Sequence, residues 1–153
     1  MKFLGPYIRH NPRMAAAMAF GAVTMVVQHF LWVSPARMSG FALALTVTAA
    51  LAHAIAGAIT GPRLVVSTQT PSQAGLLGAG TSLLALLLFT FPFTFFIIAR
   101  DVRSTGAPSY VAFPFLVTVF AFLGDGWALL VTSMITGWAL HCIARRNASD
   151  CFP

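Results

Sequence analysis

A chain of 153 residues has room for one compact domain, and a composition of 58% hydrophobic and 8% charged residues excludes an ordinary soluble one. The net charge of +6 does not point to nucleic acid, because the basic residues stand at the ends of apolar runs and build no basic face. A single membrane domain over residues 1–153 is the expected organisation.

Four apolar runs, 14–33, 40–60, 75–99 and 110–143, hold one formally charged side chain between them, Asp125. About 20 apolar residues cross the hydrocarbon core of a bilayer. The pattern therefore predicts an all-α, polytopic transmembrane helical bundle with four spans. The first run opens after Asn11-Pro12-Arg13 and closes at Trp32-Val33-Ser34-Pro35, with an interfacial tryptophan and a proline stop. It is longer than the apolar core of a signal peptide and reads as a retained span. The second run ends at Gly61-Pro62, a helix-stopping pair, and residues 61–72 form the most polar connection after the N-terminus. The third carries Pro92, a kink that membrane helices tolerate.

The last run is too long for one crossing. Its 34 residues would make a helix of about 51 Å against a core of about 30 Å. Gly124-Asp125-Gly126 lies in its middle. Either one helix kinks there and overhangs the membrane, or the run breaks into a hairpin of 109–123 and 127–143, giving five spans. Four spans place six Lys and Arg on the side of both termini and three on the other, which favours a cytoplasmic N-terminus. Five spans erase that bias. A bacterial inner membrane is the default location.

Stripes of small or weakly polar residues recur at helical spacing: Ala17, Gly21, Thr24 and Gln28; Thr46, Ala49, His53, Gly57 and Thr60; Gly75, Gly78, Ser82 and Ala85; Thr118, Asp125, Thr132 and Thr136. Small side chains let helix backbones approach, and hydroxyls bond across the seam. Asp125 is the sharpest signal, since a carboxylate at mid-membrane costs about 2.5–3.5 kcal/mol on insertion scales and should face protein, water or a cation. Depth counted along each run pairs it with Gln28 or His29 and sets His53 nearer the cytoplasmic edge. The intramembrane candidates are thus Asp125, His29, Gln28, His53 and Thr132.

His29 and His53 differ in depth and cannot be opposite ligands of one haem, and a lone histidine is a weak cofactor signal. No metal or cofactor is expected. His10 and His141 read as interfacial, and Cys142 and Cys151 as incidental thiols with no disulfide framework. There is no nucleophile elbow, zinc-protease motif, phosphate loop or carboxylate pair, so no enzyme is expected. The expected partners are the lipid bilayer and other membrane protein subunits, or further copies of the chain. An oligomeric small permease or ion channel using Asp125 is the alternative.

Overall fold

The computed structural model describes residues 4–32, 40–68, 70–100, 119 and 122–145. Among them the regular structure is entirely helical: α1 (Leu4–His10), α2 (Pro12–Trp32), α3 (Gly40–Pro62), a π-helical turn π1 (Arg63–Ser67), α4 (Pro71–Arg100), a second π turn π2 (Phe122–Gly126) and α5 (Trp127–Arg145). Three stretches, Leu45–Ser67, Pro71–Phe91 and Trp127–Arg145, are long and apolar enough to cross a membrane.

Several boundaries differ from expectation for local reasons. α1 was unforeseen. It is a short helix that buries Gly5 and Ile8 while Leu4 and Tyr7 stay exposed, and it meets α2 at Asn11, whose N–H still reaches the Tyr7 carbonyl at 2.9 Å. Pro12 then opens α2 at the one helical position where its missing N–H is no loss. Gly61-Pro62 closes α3, as expected, but helical backbone continues beyond it. The chain widens there into π1, closed by the Thr68 N–H on the Arg63 carbonyl at 3.1 Å, so the apolar stretch extends to Ser67. Gly124-Asp125-Gly126 is likewise no reverse turn: it belongs to π2, which runs directly into α5. With 19 residues α5 is long enough to cross alone. The first part of the last run, Thr118 included, lies outside the described residues.

Helix directions follow from the closest approaches. Pro12 meets Gly61, Ala16 meets Gly57, and Gly21 meets Ala54, so α2 and α3 are antiparallel. Ala74 against Gly137 and Gly78 against Ser133 make α4 and α5 antiparallel, and α3 packs on α4. The start of α2, the end of α3, the start of α4 and the end of α5 therefore share one end. α1 lies at that end, with Ile8 in a cluster that includes Phe20, Leu64, Ala74, Leu140 and Ala144.

The packing inverts the soluble pattern. Inside are Ala52, Ala56, Ala85, Thr81, Ser82, Thr90 and Ser133, while Leu51, Ile55, Ile59, Leu83, Leu87, Val131 and Ile135 point outward. In lipid the large aliphatic side chains gain nothing by turning inward, and small ones permit close backbone contact. Cys142 on α5 is disulfide-bonded, against the expectation of incidental thiols.

Two glycines two residues apart on α4 separate seam from surface. A methyl on Gly78 would run into the Ser133 carbonyl oxygen, whereas one on Gly80 meets nothing within 4 Å. Gly80→Ala should leave stability unchanged or raise it by up to about 1 kcal/mol through helix propensity. Gly78→Ala should lower it by about 1–3 kcal/mol through overpacking. Thermal or SDS-induced unfolding in detergent measures both, and equal effects would refute the seam.

Candidate functional site

The polar groups of α3, α4 and α5 meet in one seam. His53, buried on α3, places Nδ1 3.0 Å from the Ala49 carbonyl oxygen one turn back and Nε2 3.3 Å from Ser82 Oγ on α4. A carbonyl can only accept, so Nδ1 carries the proton in this arrangement and the Ser82 hydroxyl donates to Nε2. Beside this pair lies a cavity of about 10 Å³, lined also by Leu86, Gly126 and Leu129. That is space for one water, with polar groups on one wall.

Two further cross-helix contacts continue the line toward the shared end. Thr60 and Thr81 stand 2.8 Å apart through their hydroxyls, and each also reaches the carbonyl one turn back, Ala56 and Leu77. Beyond them Thr68 donates to the Leu64 carbonyl, so His141 Nδ1, 2.8 Å from the same hydroxyl oxygen, is placed as donor to it. The Arg145 guanidinium donates to the Thr68 carbonyl. Every buried side-chain nitrogen or oxygen among the described residues has a partner. Such a seam is held by hydrogen bonds that lipid cannot replace.

The expected site residues divide accordingly. His53 stands in the seam. Thr132 bonds its own helix, at 2.8 Å from the Ala128 carbonyl. Gln28 is half-buried on α2, and His29 is exposed, edge-on to Phe30 with ring centres 6.0 Å apart. The Asp125 side chain, and with it the pairing to Gln28 or His29, lies outside the described residues. Its neighbour Gly126, however, lines the cavity of His53. The helical stretch that carries His53 runs on through π1 to Ser67, about 20 Å beyond it.

His141 and Thr68 were missed as seam residues. His141 is 2% exposed and bonded to Thr68 at the basic end of the seam. The spacing Ser133, Gly137, His141, Ala144 was available as a helical stripe, but proximity to the basic C-terminal end masked it. Thr68 could not be read because π1 is invisible to a 3.6-residue period. Among the described residues no three His, Cys, Asp or Glu gather in a way that could hold a metal. Comparison with protein-family models, curated proteins and solved structures finds no match.

The His53–Ser82 contact should appear as a coupling. A double-mutant cycle with His53→Phe and Ser82→Ala, read by unfolding in detergent, should give about 0.6–1.7 kcal/mol between the two positions. Strict additivity would remove this bond from the account.

Proposed function

We propose that the chain is an integral membrane protein crossing four times, by α2, α3, α4 and α5, and that it works as a non-enzymatic subunit packed against other membrane proteins. One observation supports this reading most. On α2, Met14, Met18 and Met25 are exposed, and His29 continues the same row at steps of four, seven and four. Methionine adapts to irregular partner surfaces, which makes such a row suited to protein rather than only to lipid. An outward imidazole on an apolar helix gains from a polar partner there. The small-residue stripes support no such role, since the close approaches at Gly21, Gly57, Gly78 and Gly137 all lie within the chain.

The six-to-three distribution of basic residues supports a cytoplasmic N-terminus in a bacterial inner membrane. A photo-crosslinking amino acid at Met18 tests the partner face in cells, with Ile55 on the outer face of α3 as the comparison. The subunit reading expects protein adducts from Met18 and few from Ile55. Adducts from neither position, or equally from both, would overturn it.

A second reading, an oligomeric small permease or ion channel, draws on the water-sized cavity between His53, Ser82 and Gly126. It requires an ion- or proton-dependent flux in proteoliposomes that Asp125→Asn abolishes. The subunit reading expects no such flux.

A further inference from the structure

Arg63 has no carboxylate to meet among the described side chains, because none of them is Asp or Glu. It is the first residue of π1, exposed, and lies within the apolar stretch Leu45–Ser67 one turn before its end. A guanidinium at that depth needs an anion, water or the headgroup layer. Beside it opens a pocket of about 330 Å³, lined by Arg63, Ser67, Thr68, Gln73, Leu76 and Leu77. The lining is ordered along the helices. Ser67, Thr68 and Gln73 stand at the end of π1 and the start of α4, whereas Leu76 and Leu77 lie one turn further into the apolar part of α4. Arg63 starts one turn below that polar rim, level with Leu76 and Leu77, and its long side chain can extend to the rim from there. Polar rim over apolar floor is the profile of a lipid at the boundary between headgroup and acyl chain.

Among the described residues the surrounding charge has one sign. Arg9 and Arg13 belong to the same end of the protein, and Arg145 reaches the carbonyl of Thr68, itself a pocket residue. Guanidinium groups match phosphate oxygens in geometry as well as charge. We propose that this pocket holds the phosphate headgroup of an anionic phospholipid, with Arg63 and the hydroxyl of Ser67 on the phosphate and the upper acyl chain along Leu76 and Leu77. The proposal rests on the membrane reading alone and stands whether or not the chain is a subunit of a larger assembly.

Native mass spectrometry of the full chain released from detergent tests it, with phosphatidylglycerol and phosphatidylcholine offered in equal amount. The wild-type chain should retain phosphatidylglycerol preferentially. Arg63→Gln should reduce that retention about fivefold, the loss expected for one basic contact at a membrane surface. Arg9→Gln, at the same end but outside the pocket, should change it little. Millimolar glycerol phosphate should not displace the lipid, because it has no chain for Leu76 and Leu77. Circular dichroism of the Arg63→Gln variant establishes that it remains folded, and Leu76→Gln provides a second variant that should weaken retention without altering charge. Equal retention of the two lipids would overturn the proposal. So would equal losses in Arg63→Gln and Arg9→Gln, which indicate diffuse surface charge, or displacement by glycerol phosphate, which indicates a free-phosphate site.

Discussion

Hydrocarbon exerts no hydrophobic force pressing one apolar helix onto another, so helices proposed to cross a bilayer must be held together by something else. Here it is the close approach of backbones across glycine and alanine. Gly57 faces the carbonyl of Ala16 so closely that an added methyl would stand 2.8 Å from it, and Gly78 and Gly137 occupy the corresponding places between α4 and α5. That approach brings dispersion contacts along whole helix faces. It also brings His53 within reach of Ser82 and Thr60 within reach of Thr81, bonds that longer side chains at the seam would hold apart. Packing comes first here, and the polar seam is its consequence.

The polar seam has a direction. Its contacts run from His53 and its water-sized cavity, through the paired threonines, to Thr68, His141 and Arg145 at the basic end. Each group is satisfied by a neighbour, which suits a framework that fixes helix register. The two π turns stand at its two ends: π1 bears Arg63 and precedes Thr68, and π2 contributes Gly126 to the cavity. π turns commonly mark functional positions because they re-aim side chains without ending the helix.

Much of this was legible in the residues. Uninterrupted apolar runs announce helices long enough to cross a membrane, of which the structure holds three among its described residues, and the stripes through Gly57, Gly78 and Ser82 identified the buried faces. What escaped was local backbone geometry. Gly61-Pro62 ends α3, yet helical backbone continues directly as π1, and Gly124-Asp125-Gly126, which carries the residues of a turn, is taken up into π2. Nothing in composition distinguishes those outcomes, since they are decided by what packs alongside. His141 escaped because its partner Thr68 stands 73 residues away in the chain. With no carbonyl or hydroxyl partner identifiable from one helix alone, cross-helix bonds were out of reach of periodicity.

The central claim is that lipid is the solvent of the outer faces and that the helices close inward on small residues. Spin labels placed one at a time at positions 51, 52, 55, 56 and 59 of α3 in liposomes test it directly, read by collision with oxygen and with a water-soluble nickel chelate. Leu51, Ile55 and Ile59 should be open to oxygen and closed to nickel, and Ala52 and Ala56 should be closed to both. Nickel access at Ile55, or oxygen access without helical periodicity, would contradict it.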